Sequence, residues 1–159
     1  MKTLILYATK YGCTKSLAQR LQSLIEDSTL CNLKSEPCPS LAEFDSVIIG
    51  SSIYASFIRK EAKTYIDEHI DELKTKRVGL FLSGLDEAGA STYFSTNFPA
   101  AILDIAYAQS FFGGVYDANK ASLFDKLIFK VIKKTSSSVS QILEENIVTF
   151  ARDMKESGA

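Results

Sequence analysis

The sequence predicts an α/β protein with a doubly wound parallel sheet, and two features of its apolar pattern favour that class. Apolar runs typical of strands alternate along the chain with segments whose apolar residues recur at helical spacing. The runs are also nearly continuous, as at residues 4–6 and 47–49, which is typical of parallel strands that are covered on both faces. We therefore expect strands and helices in alternation, joined by right-handed crossovers.

Five strands are expected from the apolar runs. They lie at residues 3–8, 28–33, 46–51, 77–83 and 108–116. The last run, "AQSFFGGVY", is interpreted as one continuous strand. We therefore expect one sheet of five strands.

Helices are expected between the strands, and two of them have a clear apolar face. The apolar residues of the first are Leu17, Leu21, Leu24 and Ile25, and those of the second, over 59–76, are Ala62, Ile66, Ile70 and Leu73. Further helices are expected over 95–107 and 137–156, where the serines of "TSSSVS" (135–140) are typical of a helix start. The segment 34–45 has two prolines and little room, so we expect a crossover without a full helix there.

The composition is that of one globular domain over residues 1–159. A chain of 159 residues with 46% hydrophobic and 23% charged side chains can bury a sizeable core. The net charge is only −1, from 18 basic and 19 acidic residues, so no global field favours nucleic acid. The three cysteines show no CxxC spacing, which indicates reduced thiols and no metal site. The apolar run after Met1 is too short for a signal peptide or a membrane span, so we expect a cytoplasmic protein.

Ligand binding is expected at the carboxyl ends of the strands, because doubly wound sheets bind ligands outside that edge. Three loops follow these ends, at residues 9–14, 50–58 and 83–94. The first, "TKYGCT", places Thr9, Gly12 and Thr14 just before a helix whose first N–H groups are unpaired and carry partial positive charge. A phosphate could bind there through backbone N–H groups and the two hydroxyls. A capped turn without a ligand would use the same residue types, so the residues alone leave that alternative open.

Other phosphate-binding patterns do not fit this loop. Gly12 is its single glycine, whereas the Walker pattern and the dinucleotide fingerprint need several. Small tyrosine phosphatases and arsenate reductases place a cysteine nucleophile after the first strand and an arginine after five intervening residues. Here six residues separate Cys13 from Arg20, which turns the guanidinium to another side of the helix. A lowered pKa of Cys13 at the helix N-terminus stays open from the sequence.

The three loops together resemble those of flavodoxins. "TKYGCT" after "MKTLILYA" is similar to the phosphate loop Ser/Thr-x-Thr-Gly-x-Thr, with Tyr11 in the place of the middle threonine. "GSSIYASF" (50–57) and "SGLDEAGASTYF" (83–94) resemble the loops that flank the flavin, with Tyr54 and Tyr93 as the aromatic residues, although each tyrosine alone could merely cover a strand end. The resemblance implies bound FMN and a five-stranded sheet in the order 2-1-3-4-5 between two helical layers. The implied cofactor-binding residues are Thr9, Lys10, Tyr11, Gly12, Cys13, Thr14, Ser51, Ser52, Ile53, Tyr54, Ser83, Gly84, Leu85 and Tyr93.

A closer resemblance is to the menaquinone-dependent protoporphyrinogen IX dehydrogenase branch of the flavodoxin superfamily. It is carried by "MKTLIL…T…GCT", by "VIIGSSI" and by "FDKLIFKVIKK" (124–134), of which the last is the stretch specific to that branch. The resemblance implies FMN-dependent oxidation of a tetrapyrrole in heme biosynthesis, or a related two-electron transfer, with a quinone as acceptor. The chemistry would be centred on the flavin.

The segment that begins at Leu123 and ends at Lys134 is basic and amphipathic when read as a helix. Five lysines and one acid, Asp125, lie between Lys120 and Lys134, with apolar residues on the other face. Such a helix suits an anionic membrane surface, where a quinone would be met. A peripheral contact with the inner face of the membrane is one interpretation, and a lysine face exposed to solvent or to a partner protein is the other.

Three classes of function remain open from the sequence. The first is an FMN-dependent oxidoreductase of the protoporphyrinogen dehydrogenase type, acting on a small-molecule redox substrate. The second is a flavodoxin-type electron carrier that docks on redox proteins. Carriers of that kind resemble acidic shuttles, so the near-neutral charge and the basic segment favour the enzyme. The third is a flavin-free interaction domain of the same fold, which the departures at Tyr11 and Cys13 keep open.

Overall fold

The computed structural model describes residues 1–123, 125–127, 130 and 138–156. Strands β1 to β8 span Thr3–Ala8, Ser28–Asn32, Ser46–Tyr54, Phe57–Ile58, Arg77–Ser83, Ala106–Phe111, Gly113–Tyr116 and Val139–Ile142. Helices α1 to α5, which lie wholly within the described residues, span Cys13–Gln22, Lys60–Leu73, Ala90–Asn97, Ala100–Leu103 and Glu144–Lys155.

Five parallel strands form the central sheet in the order β2-β1-β3-β5-β6. Counted among themselves, these five strands have the order 2-1-3-4-5, so the predicted fold class is confirmed. β1 lies between β2 and β3, with Leu4 level with Thr29 on one side and with Val47 on the other. β4 is a two-residue strand that folds back antiparallel onto the end of β3.

Helical layers on both faces explain why the strands are apolar along their whole length. Successive side chains of a strand point to opposite faces of the sheet. In β1, Leu4 and Leu6 pack into the core shared with α2, α3 and α4, whereas Ile5 and Tyr7 pack into the core shared with α1 and α5. All four side chains are buried, so neither face of the strand tolerates a polar residue at these positions.

The first two helices lie where the sequence predicts them, with one difference in length. α2 covers most of the predicted segment 59–76. α1 buries Leu17 and Leu21 as expected, but it ends at Gln22, so Leu24 and Ile25 lie in the turn before β2. The crossover from β2 to β3, described throughout, contains the 3-10 turn Leu41–Glu43 and no α-helix, as its prolines predict.

The helix expected over 95–107 has different bounds. α3 and α4 are two short helices that Pro99 separates, and β6 begins at Ala106, inside the predicted helix. Proline lacks an N–H donor and therefore suits a helix start, which is its place before α4.

The interpretation of residues 108–116 as one strand is wrong. β6 ends at Phe111, and Gly113 adopts a φ of 76°, a left-handed conformation that favours glycine and turns the chain into β7. β7 leaves the central sheet and pairs antiparallel with β8. This pairing joins segments that are distant in sequence, which local patterns do not reveal.

The helix expected over 137–156 also starts later than predicted. Residues 139–142 form β8, with Val139 level with Tyr116, and α5 begins only at Glu144. Among the described serines of "TSSSVS", Ser138 precedes β8 and Ser140 belongs to it, so they do not cap the helix. No helix of the described residues is long and apolar enough to cross a membrane. Most of the stretch 124–134, which carries the amphipathic-helix prediction, lies outside the described residues.

Candidate functional site

The loops that follow β1, β3 and β5 start side by side at the carboxyl edge of the sheet. The strand register aligns them, because Ala8 is level with Ser51 and Ser52 is level with Ser83. These loops surround a cavity of about 320 Å³. That volume falls at the lower end of the range of small-molecule sites. The cavity lies next to β1 and β3, where the strand order reverses, which is where this class of sheet binds ligands.

Most of the residues predicted for the site line this cavity. They are Thr9, Lys10, Tyr11, Cys13, Ser52, Ile53, Tyr54, Ser83, Gly84, Leu85 and Tyr93. Three predicted residues, Gly12, Thr14 and Ser51, lie outside its lining. The Thr14 hydroxyl is buried and shares a hydrogen bond of 2.8 Å with the Ser83 hydroxyl, and Ser51 Oγ accepts the Arg59 N–H at 2.9 Å. Thr14 and Ser51 therefore hold the loops together, and their hydroxyls do not face the cavity.

The first loop leaves the start of α1 open to an anion. Gly12 has a φ of 94°, and its N–H donates to Thr9 Oγ1 at 2.9 Å. Within the described structure α1 has no side-chain cap at its amino end, and its first turn contains no acidic residue. The first N–H groups of the helix and the partial positive charge of its dipole are therefore available to a ligand at this end.

Lys10 joins the first two loops to the segment that follows β7. Its ammonium lies 2.9 Å from Asp125 Oδ2 and 3.3 Å from the centre of the Tyr54 ring. The Tyr54 hydroxyl donates to the same carboxylate. Asp125 is 6% exposed, so a cation and a phenol compensate its buried charge. The Ser122 N–H also donates to the Tyr11 hydroxyl, at 3.5 Å.

Sequence reasoning missed Asp125 as a site residue, along with six other lining residues. These are Ala55, Ser56, Asp86, Gly114, Val115 and Tyr116. Asp125 lies 115 positions from Lys10, in a segment interpreted only as a possible amphipathic helix. The one signal for it in the sequence is that Asp125 is the single acid among the lysines of residues 120–134.

The third loop supplies a second tyrosine, Tyr93, which faces a carboxylate. Its hydroxyl donates to Asp86 Oδ2 at 2.7 Å, and both residues line the cavity. This hydrogen bond to Asp86 raises the pKa of the Tyr93 phenol, with burial as the second cause. The phenol therefore remains a hydrogen-bond donor at neutral pH.

Cys13 is not an activated thiol. Burial raises the pKa of Cys13, and a backbone hydrogen bond from Val115 opposes that shift only in part. The lowered pKa that the sequence left open is therefore not found. Arg20 points away from the cavity and donates from Nε to Glu144 Oε1 of α5 at 2.8 Å. Cys13 and Arg20, both described, form no phosphatase-like pair.

Comparison with known proteins agrees with this architecture. A family model described as a flavodoxin domain matches residues 4–141. No curated protein sequence matches the chain. Solved structures with a similar fold include a flavodoxin from the domain Archaea, at 15% identity and a TM-score of 0.59 over 98% of this chain and 100% of that one.

Two further solved structures share the fold. A flavoprotein in complex with FMN from Lactobacillus acidophilus NCFM is 20% identical, with a TM-score of 0.53 over 69% of this chain and 92% of that one. The rubredoxin oxygen:oxidoreductase of Desulfovibrio gigas is 16% identical, with a TM-score of 0.55 over 97% of this chain but 36% of that one. The present chain thus corresponds to about a third of that enzyme's length.

The family match covers most of the chain, and it includes all five strands of the central sheet, apart from Thr3, and all three loops around the cavity. The order of the parallel strands and the position of the cavity agree with it independently. On these grounds the chain belongs to the flavodoxin domain family.

Proposed function

We propose that the cavity binds FMN. The observation that supports this most directly is that groups suited to a phosphate and groups suited to an aromatic ring line the same cavity. An uncapped helix N-terminus with Thr9 and Lys10 suits a phosphate, and the tyrosines of the two following loops suit an aromatic ring. Thr9, Lys10 and the first N–H groups of α1 would hold the phosphate, and Tyr54 and Tyr93 would contact the ring. FMN would supply the electron-transfer chemistry, and the protein would supply its position and electrostatic surroundings.

FMN titration tests this proposal. We expect the protein to be yellow when saturated, and added FMN to lose fluorescence on binding. Lys10→Gln should weaken FMN binding by roughly tenfold, about 1.4 kcal/mol, because one charge-assisted contact is lost. Riboflavin, which lacks the phosphate, should be affected much less. Lys155→Gln removes an exposed lysine at the end of α5 that does not line the cavity, and it is the matched control. A protein that takes up no FMN would instead support the flavin-free interaction domain.

We further propose that the FMN form oxidises a tetrapyrrole by two electrons and passes the electrons to a quinone, in the manner of protoporphyrinogen IX dehydrogenase. The support is the resemblance of residues 124–134 to that branch and the apolar groups near the cavity. Val115 lines the cavity and is 45% exposed, and Leu123, close to the contact made by Ser122, is 85% exposed. Such side chains suit an apolar substrate or a membrane surface.

Porphyrin fluorescence tests the enzymatic proposal. The FMN-loaded protein is mixed with protoporphyrinogen and a menaquinone analogue, and the rate is compared with the protein-free rate. Turnover above that rate is the expected result. An FMN-loaded protein that gives no turnover, yet passes electrons to another redox protein, would instead be a carrier of the flavodoxin type.

A peripheral membrane contact is proposed for the segment that contains Leu123 and Leu127, which are 85% and 60% exposed. The double variant Leu123→Ser/Leu127→Ser should sediment less with vesicles of anionic phospholipid, because apolar burial contributes to interfacial binding. The Val148→Ser variant removes an exposed apolar side chain from α5 and serves as the control. Equal sedimentation of the unchanged protein, the double variant and the Val148 variant would contradict the membrane proposal.

A further inference from the structure

Two of the three cysteines lie in contact, away from the cavity. Cys31 Sγ and Cys38 Sγ are 3.5 Å apart, and both thiols are free. Cys31 belongs to β2, an edge strand of the central sheet, and is 2% exposed. Cys38 lies in the crossover to β3 and is half-buried. Neither residue lines the cavity of the proposed cofactor site.

Hydrogen bonds hold the segment between the two cysteines in a closed turn. The Leu33 N–H donates to the Tyr7 carbonyl at 3.0 Å and continues the sheet for one more residue. The Glu36 N–H then donates to the Asn32 carbonyl at 3.0 Å, which reverses the chain. The turn carries the following residues back towards β2, so the sulfur contact is built into the backbone path.

Two prolines restrict the backbone on either side of Cys38. Pro37 has its own φ fixed by its ring, and Pro39 restricts Cys38, the residue before it, to extended conformations. The carbonyl of Pro37 also accepts a weak contact from Cys31 Sγ at 4.0 Å. The position of the Cys38 thiol therefore depends on a stiff stretch of chain.

From this arrangement we propose that Cys31 and Cys38 form a thiol-disulfide exchange site, which reacts with low-molecular-weight disulfides of the glutathione type to give an intramolecular disulfide. A disulfide needs its sulfur atoms about 2.05 Å apart, so the two must approach by roughly 1.5 Å. Side-chain rotation with a small backbone adjustment covers a distance of that order.

The exchange takes place in two balanced steps. The Cys38 thiolate attacks one sulfur of the oxidant RSSR, which forms a mixed disulfide and releases RS⁻. Cys31 then loses its proton and attacks the Cys38 sulfur, which forms the Cys31–Cys38 bond and releases the second RS⁻. Both leaving groups take up a proton. Two protein thiols are thus oxidised, and one molecule of RSSR is reduced to two molecules of RSH.

The surroundings assign different roles to the two thiols. Burial raises the pKa of Cys31 to about 12, and the neighbouring Cys38 sulfur adds to that shift. Cys31 is therefore a poor first nucleophile, whereas the more accessible Cys38 can meet an oxidant in solution. Once Cys38 is in a mixed disulfide it carries no charge, so its contribution to the raised pKa of Cys31 is lost.

Oxidation would fasten the crossover between β2 and β3, which has no α-helix among its described residues. The disulfide would close a ring from residue 31 to residue 38, and closing such a ring reduces the freedom of the unfolded chain. We expect the Tm of the oxidised protein to rise by roughly 5 °C.

The test uses the full chain with Cys13→Ser, which leaves only the pair. The folded protein is equilibrated in glutathione redox buffers, quenched with acid, alkylated under denaturing conditions and weighed by mass spectrometry. We expect both thiols to disappear together, with little mixed disulfide. Trypsin cleaves after Lys34, between the two cysteines, so oxidation should leave fragments 21–34 and 35–59 cross-linked. The equilibrium constant should be at least roughly tenfold larger than for the same chain in concentrated urea.

Single variants separate the two roles. Cys31→Ser, or Cys31→Ala if the first does not fold, should accumulate the mixed disulfide on Cys38. With Cys38→Ser, the remaining Cys31 should react at least roughly tenfold more slowly than Cys38 does in the Cys31 variant. A stable mixed disulfide in the presence of both cysteines, or an equilibrium constant no larger than in urea, would overturn the proposal.

Discussion

Asp125 is a buried carboxylate at the edge of a site that is proposed to hold a phosphate. Its partners are Lys10, with an Nζ–Oδ2 distance of 2.9 Å, and the hydroxyl of Tyr54. Lys10 is thus held by a protein anion when no ligand anion is present. The carboxylate has two opposing effects on a phosphate, because it orients the ammonium and also repels a second negative charge.

Replacing Asp125 tests which effect is larger. We expect Asp125→Asn to tighten FMN binding by roughly fivefold, about 1 kcal/mol, because the amide keeps the shape of the side chain and removes the repulsion. Asp104→Asn makes the same charge change at an exposed position outside the cavity, and FMN titrations of both variants give the comparison. Weaker FMN binding by Asp125→Asn would show instead that orienting Lys10 is the dominant effect.

The first loop requires glycine at position 12 because of the backbone conformation there, and not because a side chain would lack space. The φ of Gly12 is 94°, and a Cβ added there would meet no atom within 4 Å. Gly12→Ala should therefore cost about 1 kcal/mol in the free energy of unfolding, from the left-handed backbone and not from a clash. Gly12→Asn should cost less, because asparagine tolerates this region better. Urea unfolding measures both, and equal losses would contradict a purely conformational cause.

At the scale of elements, β3 and β5 fit together around one aromatic ring. Phe81 of β5 lies level with Gly50 of β3, and a Cβ added at Gly50 would lie 2.0 Å from the Phe81 ring. The ring cannot move freely, since it is fully buried and stacks on Phe112 with centroids 4.5 Å apart. Because Gly50 has no side chain, the Phe81 ring of the neighbouring strand can occupy the space beside it.

Gly50→Ala should destabilise the protein by about 3 kcal/mol, because overpacking shifts either the ring or the strand. Gly84→Ala is the comparison, since its Cβ would meet Phe111 at 3.4 Å, close to ordinary contact, and should cost much less. Urea unfolding followed by circular dichroism gives both values. Similar losses for the two variants would show that overlap with Phe81 is not the cause.

The elements that the sequence predicts best are those whose surroundings are uniform. β1 and β5 have the predicted bounds because both faces of each strand are buried, which makes the whole run apolar. At β8 the sequence predicts a helix instead, because the strand is formed by pairing with β7, more than 20 positions earlier in the chain. The secondary-structure preferences of Ser138 and Ser140 contain no information about a pairing partner that is distant in the sequence.

In the candidate site, too, features set by the strand order could be predicted, whereas features set by a distant partner could not. The three loops could be predicted because parallel strands with this order bring their carboxyl ends to one edge. The directions of the Thr14 and Ser51 hydroxyls could not be predicted, because each depends on a hydrogen-bond partner in another element. Asp125 could not be placed for the same reason, since a contact over 115 positions has no local pattern.

At the scale of the whole molecule, several ionisable groups are buried in their neutral form. Burial is the main cause that raises the pKa of Tyr65, Cys31, Cys13 and Tyr7. These residues lie in both cores or beside the cavity, so the effect is distributed over the fold. In the unfolded chain they would ionise from their ordinary pKa values, 9.0 for a thiol and 10.0 for a phenol.

The sign of the resulting pH dependence follows from proton binding. Above about pH 9 the unfolded chain has begun to lose these protons while the folded protein still holds them, so the free energy of unfolding falls as the pH rises. We expect the full contribution below about pH 8 and a loss of roughly 4 kcal/mol between pH 8 and pH 11, measured by urea unfolding. Tyr65→Phe should make this slope shallower, since it keeps the buried ring and removes one titrating phenol. A stability that stays level to pH 11 would mean that these groups ionise inside the folded protein, and that burial does not hold them neutral.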